Sequence, residues 1–175
     1  MSGLTKPTIL RLFDELNAEL AEEAVLAEIS LVGGAVMTLV YETRAATKDI
    51  DALFRPVAAV RAAAKRVASH NSLPEDWLND AAKGYFSARA AFSAFLELSH
   101  LRVFVATAEY LFAMKALAMR LGPEFADEAD LRYLIRSLGL TRYDDALAVI
   151  EKFYPIGQLA QKTFYALEEI FEGQR

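Results

Sequence analysis

The sequence contains no cysteine and only two histidines, and these scarcities exclude several kinds of site. Without cysteine, the 175-residue chain can form neither a disulfide framework nor a thiolate metal centre. His70 and His100 are far apart in sequence and cannot build a zinc site by themselves. A chain without cysteine is compatible with the cytoplasm, and we expect a cytoplasmic protein.

Long apolar runs and an excess of positive charge are also missing. No stretch approaches eighteen uninterrupted apolar residues, and the first six residues lack the basic start and apolar core of a signal peptide. We therefore expect no membrane partner. The net charge of −5 argues against a generic nucleic-acid coat protein. With 54% hydrophobic residues, the chain has ample material for a core.

The first part of the chain mixes predicted helices and strands. Amphipathic patterns predict helices over 7–24, 35–43 and 57–70, and apolar runs predict strands over 27–32 and 49–54. Residues 72–84 are expected to form a loop and a short helix, followed by a β-hairpin over 92–98 and 101–105.

The remainder of the chain is predicted to be entirely helical. Thr107 is placed to cap the first of four helices, predicted over 108–121, about 124–138, 141–152 and 158–172, with Gly122-Pro123 ending the first. The expected fold is α+β, with a small mixed β-sheet, flanking helices and a C-terminal helical lobe. We place an α/β core over 1–106 and the lobe over 107–175, packed together as one compact unit.

A Gly-Gly turn followed by two alternate carboxylates is the most informative pattern in the chain. Gly33 and Gly34 leave a predicted strand, and without Cβ atoms their backbone can approach phosphate oxygens closely. The next predicted helix begins at this turn and adds partial positive charge there. In a strand, Asp49 and Asp51 share one face, as the ligands of a Mg²⁺ ion would.

Each half of this pattern also has a structural explanation. Charges on the solvent-facing side of an edge strand prevent strands from aggregating, and Asp49 and Asp51 would do so there. Many strands end in glycine merely to turn, as Gly33 and Gly34 would. Glu97 in the predicted hairpin is a candidate for a third metal carboxylate, and equally for a solvent-facing strand residue.

A single lysine interrupts an otherwise apolar predicted helix. Residues 110–119 are apolar all round except for Lys115, so the helix is expected to be buried and the ammonium to need a carboxylate or phosphate partner. The alternative is that the lysine stem lies on apolar surface while its charge reaches water. Asp127 and Asp130 share a helix face and could orient Lys115 or Arg120, or simply complement the helix dipole.

These motifs resemble those of a known enzyme superfamily. Gly33-Gly34, Arg44 and Thr47-Lys48-Asp49-Ile50-Asp51 resemble the Gly-Gly and Asp-x-Asp signature of DNA polymerase β-like nucleotidyltransferases. Later motifs resemble the small bacterial nucleotidyltransferases related to abortive-infection and toxin–antitoxin toxins: Trp77-Leu78-Asn79-Asp80, Glu109-Tyr110-Leu111 with Met114-Lys115, and Asp127 with Asp130-Leu131. The similarity runs from about residue 28 to residue 172.

The resemblance implies the nucleotidyltransferase fold and transfer of a nucleotide from an NTP to an acceptor, with tRNA 3′ ends the acceptor in some such toxins. Asp49 and Asp51 would hold Mg²⁺, and Gly33 and Gly34 would cradle the phosphates. Arg44 and Thr47 are implied nucleotide-binding residues by their place in the motif.

In the helical lobe, the resemblance gives Lys115 the role of neutralising charge on the triphosphate. Asp127 or Asp130 would orient that lysine or assist the acceptor. An antitoxin protein is an implied partner.

Two other readings of the sequence remain open. The chain could be a catalytically inactive nucleotidyltransferase-fold module that acts through a protein partner, or a helical interaction protein with an incidental Asp-x-Asp. Convergence of Asp49, Asp51 and Lys115 in one cleft would favour the enzyme.

Overall fold

The computed structural model describes residues 3–120, 122 and 125–173. Within these ranges the chain forms an α+β fold with seven α-helices, a mixed five-stranded sheet and a two-stranded sheet. The predicted α+β class is therefore confirmed. None of the helices in these ranges is both long enough and apolar enough to cross a membrane.

The elements alternate in the first part of the chain and are helical in the last. The strands are β1 Leu4–Thr5, β2 Ala27–Leu31, β3 Ala46–Thr47, β4 Ile50–Arg55, β5 Leu78–Asn79, β6 Phe92–Glu97 and β7 Leu101–Ala106. The helices are α1 Lys6–Glu22, α2 Gly33–Leu39, α3 Val57–Asn71, α4 Ala108–Leu117, α5 Asp127–Ser137, α6 Tyr143–Glu151 and α7 Gln161–Glu172. Short 3₁₀ turns cover Ala81–Tyr85 and Ile156–Gln158.

Local sequence explains the first helix. Thr5 caps α1 because its side chain accepts a hydrogen bond from the backbone N–H of Thr8, and a proline occupies the first turn. The buried residues of α1 recur every three or four positions, which makes one apolar stripe: Ile9, Leu12, Phe13, Leu16 and Leu20. The predicted helix over 7–24 is confirmed.

The five-stranded sheet has the order β5-β4-β2-β7-β6. β2 lies at its centre, antiparallel to β4 and parallel to β7. Ile29 of β2 lies between Phe54 of β4 and Val103 of β7, and all three side chains are buried. α3 packs against β4 and α1 against β7, so the sheet and these helices enclose the core of this part of the chain.

The chain divides into two compact units. The first comprises the residues up to Gly84 together with Phe92–Ala106, and the second comprises Tyr85–Ala91 together with the residues from Thr107 onward. The segment Tyr85–Ala91, which the sequence places in the core over 1–106, thus groups with the helices. Thr107 caps α4 as predicted, since its side chain accepts a hydrogen bond from the N–H of Tyr110.

Some element boundaries differ from the prediction. α2 covers Gly33–Leu39 rather than 35–43, and α4 ends at Leu117 rather than at 121. The two-residue strands β1, β3 and β5 were not predicted, because two residues carry no periodicity. The predicted boundaries at Leu121, Pro123 and Glu124 lie outside the described residues.

Candidate functional site

The Gly-Gly turn and the second aspartate meet where β2 ends and β4 begins. Leu31 pairs with Ala52, and the N–H of Val32 donates to the carbonyl oxygen of Asp51 at 3.0 Å. Gly33 has a φ of +65°, and a Cβ at this position would lie 3.2 Å from Oδ2 of Asp51. The first glycine therefore provides both a left-handed backbone and room for the carboxylate.

The second glycine is approached by two other predicted residues. A Cβ at Gly34 would lie 2.7 Å from Oγ1 of Thr47 and 3.3 Å from Nη1 of Arg44. Thr47 is buried, and its hydroxyl donates to the backbone oxygen of Asp49 at 3.1 Å. The structure thus gathers a small cluster, the glycine-turn cluster, from Gly33, Gly34, Arg44, Thr47 and Asp51, with Asp49 tied to it through its backbone.

Burial alternates along the Asp-x-Asp segment as expected for residues on opposite faces of a strand. Ile50 is fully buried and its N–H donates to the carbonyl oxygen of Trp77 at 2.7 Å, while Asp49 and Asp51 are partly exposed. Asp49 directly precedes β4, and Asp51 is its second residue.

The edge-strand explanation of this pair is wrong. β4 lies between β2 and β5, and Asp51 pairs with Asn79 of β5 on one side while its carbonyl accepts from Val32 on the other. A charge at a position flanked by strands on both sides does not protect a free edge. The Asp51 carboxylate therefore does not serve to protect a sheet edge, and Asp49 lies just before β4.

The donor set fits a magnesium ion that also binds phosphate. Mg²⁺ in proteins is usually held by one or two carboxylates, with phosphate oxygens and waters completing its octahedron. Asp49 and Asp51 supply two carboxylates two residues apart, and the Cβ-free backbone of Gly33 lies beside the Asp51 carboxylate. No group of three or more His, Asp or Glu side chains suited to a metal occurs in the described ranges.

Glu97 does not join this pair. It lies on β6, pairs with Arg102 of β7 and forms an ion pair with it at 3.2 Å, with 74% of its side chain exposed. The register puts Arg102 level with Glu28 on β2, three residues from Leu31, where the Gly-Gly turn begins. Glu28 is in turn level with Arg55 on β4, four residues from Asp51. Given strand spacings of about 4.8 Å and a rise of about 3.3 Å per residue, Glu97 is offset from Asp51 by roughly 14 Å across the sheet and 13 Å along it.

Glu97 instead ends a row of alternating charges across four strands. Arg55 Nε donates to Glu28 at 2.8 Å, Arg102 approaches Glu28 at 4.0 Å, and Glu97 follows. This arrangement matches the solvent-facing alternative for Glu97, with opposite charges on neighbouring strands.

In the second unit, Lys115 is held by the two predicted aspartates. Its ammonium Nζ lies 2.5 Å from Oδ2 of Asp130 and 3.7 Å from Oδ1 of Asp127. Lys115 is only 8% exposed and Asp130 only 3%. The lysine does not reach water along an apolar surface, so the snorkelling alternative is wrong.

Arg120 adds an exposed guanidinium to this charge cluster. Both its backbone N–H and its Nε donate to Oδ2 of Asp127, at 3.1 and 2.9 Å, and its guanidinium lies 4.5 Å from the ring centroid of Phe125. Burial by itself raises the pKa of the Asp127 carboxyl, but the Arg120 hydrogen bond and the Lys115 charge outweigh it and hold that pKa below its ordinary value. Asp127 is therefore an anion at neutral pH despite its burial.

The two clusters belong to different units of the chain. The glycine-turn cluster and Asp49 lie in the first unit, and Lys115, Arg120, Asp127 and Asp130 lie in the second. The predicted convergence of Asp49, Asp51 and Lys115 in one cleft stays a prediction.

Trp77 and Asn79 of the Trp77-Leu78-Asn79-Asp80 motif have structural contacts. Trp77 Nε1 donates to the carbonyl of Ala64, and Asn79 joins the adjacent turn through the N–H of Ala81. The sequence analysis missed Gly3, although a Cβ at Gly3 would lie 2.8 Å from the carbonyl oxygen of Thr47, because a single glycine outside any motif does not indicate such an approach.

Comparison with known proteins identifies no family for this chain. No family model matches this chain, and neither a curated protein nor a solved structure is significantly similar to it.

Proposed function

We propose that the chain is a Mg²⁺-dependent nucleotidyltransferase that moves a nucleotide from an NTP to an acceptor. The observation that carries the proposal is the close approach of Asp51 to Gly33, at the end of a strand whose neighbour presents the Asp-x-Asp segment. A carboxylate beside a Cβ-free turn, with a second carboxylate two residues away in the sequence, suits a metal-bound triphosphate.

In this proposal, different residues of the first unit bind the metal and the phosphates. Asp49 and Asp51 provide the carboxylates for Mg²⁺, which when bound would neutralise phosphate charge and orient the acceptor oxygen. Gly33 and Gly34 let the backbone approach the phosphates, and Arg44 brings a guanidinium beside Gly34. The transfer forms a bond between an acceptor oxygen and the α-phosphorus and releases pyrophosphate.

The proposed acceptor and the proposed protein partner are supported by the sequence resemblance alone. A tRNA 3′ end as acceptor, an antitoxin as partner and a cytoplasmic setting are part of the proposal on that basis. The assignment of Lys115 to the triphosphate has the same basis and stays a prediction.

One observation favours the alternative of an inactive module acting through a protein partner. Two carboxylates already neutralise the Lys115 ammonium within its own unit, as in an ion cluster that only holds α4 to α5. If that is its whole role, Lys115 does not supply the positive charge that the resemblance assigns to the triphosphate.

Label transfer tests the proposal against this alternative. Each α-labelled NTP is incubated with Mg²⁺, total tRNA and either the wild type or Asp49→Ala/Asp51→Ala. Asp14→Ala/Asp76→Ala is the matched control, because it removes two exposed aspartates of the same unit. Incorporation by the wild type and the control but not by the first variant supports the enzyme. No incorporation, with no Mg²⁺-dependent thermal shift by any NTP, supports the inactive module.

A further inference from the structure

The N-terminal residues are paired with the segment that leads into the Asp-x-Asp motif. β1 runs antiparallel to β3, with Leu4 opposite Thr47 and Thr5 opposite Ala46. Leu4 is buried, and β1 passes directly into α1, whose first buried residue is Ile9. The burial of Leu4, and of Ile9 in the helix that follows, therefore fixes the position of β1 against the core.

Gly3 allows this pairing to be unusually close. A Cβ at Gly3 would lie 2.8 Å from the carbonyl oxygen of Thr47 and 3.0 Å from Cβ of Ala46. Backbone atoms cannot swing away as a long side chain can, so any larger residue must push the two strands apart. Lys6 adds a second tie through its ion pair with Glu42.

The paired segment is the part of the loop that reaches the glycine-turn cluster. Thr47 is buried, its hydroxyl lies beside Gly34, and it donates to the backbone oxygen of Asp49. Between Glu42, with a φ of +52°, and β4, the loop contains only the two-residue strand β3 as regular structure. Its placement therefore depends on what holds β3.

We propose that residues 3–6 act as a strap, a positioning element that holds residues 44–49 against the Gly-Gly turn. The strap pairs directly with Thr47, and the Thr47 hydroxyl in turn donates to the backbone oxygen of Asp49. Its consequence for nucleotide binding rests on the proposed function, whereas its effect on the loop does not.

Amide hydrogen exchange of Gly3→Ala tests the strap. We expect exchange in peptides covering 42–49 to accelerate by about tenfold or more, since their protection reports local opening. Gly84→Ala is the matched control, because a Cβ at Gly84 meets nothing within 4 Å in the same unit. Unchanged exchange over 42–49, or acceleration spread evenly over the first unit, would overturn the inference.

Titration with each Mg·NTP separates positioning from a merely structural role. If Gly3→Ala leaves residues 44–49 correctly placed in only about one molecule in ten, its apparent Kd for Mg·NTP should rise about tenfold. Its secondary structure should stay unchanged. A wild type that binds no NTP refutes the proposed function, and the exchange result then decides the strap by itself. Should Gly3→Ala not fold, Lys6→Glu is expected to accelerate exchange over 42–49, and Lys6→Glu/Glu42→Lys to restore protection.

Discussion

Replacement of Lys115 by methionine should destabilise the chain far more than loss of an ordinary surface lysine. The change removes an ammonium 2.5 Å from Oδ2 of Asp130, a carboxylate only 3% exposed. Asp127 loses its more distant contact at 3.7 Å but keeps the Arg120 guanidinium at 2.9 Å. Since a buried charge pair that loses one partner costs roughly 3–5 kcal/mol, Lys115→Met should lower the free energy of unfolding by about that amount.

Urea denaturation at neutral pH measures this cost and its origin. In Lys115→Met/Asp130→Asn the buried negative charge is also removed, so the double variant should recover about 0.5–3 kcal/mol relative to Lys115→Met. Lys152→Met is the matched control, because Lys152 pairs with Glu109 at 2.8 Å on the surface of the same unit. It should cost at most about 1 kcal/mol. Equal costs for the two lysines, or additive effects in the double variant, would show that the buried Lys115–Asp130 ion pair is not the source of the loss.

Three further predictions concern single side chains. Gly33→Ala should lower the free energy of unfolding by about 1–2 kcal/mol because Gly33 has a positive φ. It should also weaken Mg·NTP binding, because the added Cβ would lie 3.2 Å from the Asp51 carboxylate. Calorimetry should show neither effect in Gly84→Ala. The lowered pKa of Asp127 stabilises the fold above an unfolded-state pKa of about 3.9, and this contribution is lost as the pH falls through the folded-state value. Acid unfolding curves should therefore be shallower for Asp127→Asn, and an unchanged slope would contradict the assignment. The buried Thr38 hydroxyl has no hydrogen-bond partner in the described ranges. Thr38→Val should therefore raise the free energy of unfolding by roughly 1 kcal/mol. A lower free energy of unfolding would contradict an unbonded hydroxyl.

Periodic local signals explain what the sequence could predict of the fold. The stripe of α1, the hairpin of β6 and β7 and the Thr107 cap each lie within a few consecutive residues. The Gly-Gly turn and Asp-x-Asp segment were also readable, since each is contiguous. Their approach in space follows from the antiparallel pairing of β2 with β4.

What could not be predicted depends on contacts between distant residues. Glu97 was a candidate ligand because the sequence does not specify that β7, rather than β6, pairs with β2. The early end of α4 has a similar cause, since the N–H of Arg120 donates to Asp127 instead of continuing the helix. Residues such as Ala118 and Met119 favour a longer helix by intrinsic propensity, and the tertiary contact outweighs it.

The pairing of β1 with β3 illustrates the same limit at the candidate site. Two short segments more than forty residues apart form it, and neither carries a strand pattern of its own. Gly3 is the one local trace, because its lack of a Cβ permits the close approach to Thr47.

Calorimetric titration of each of the four common NTPs, with and without Mg²⁺, tests whether the Gly-Gly turn and the Asp-x-Asp segment bind a metal–triphosphate. We expect at least one NTP to bind the wild type and Asp14→Ala/Asp76→Ala only when Mg²⁺ is present. We also expect Asp49→Asn/Asp51→Asn to abolish this binding while the protein stays folded. Absence of binding by the wild type, or equal binding by the Asn variant, would contradict a metal–triphosphate site at the Gly-Gly turn.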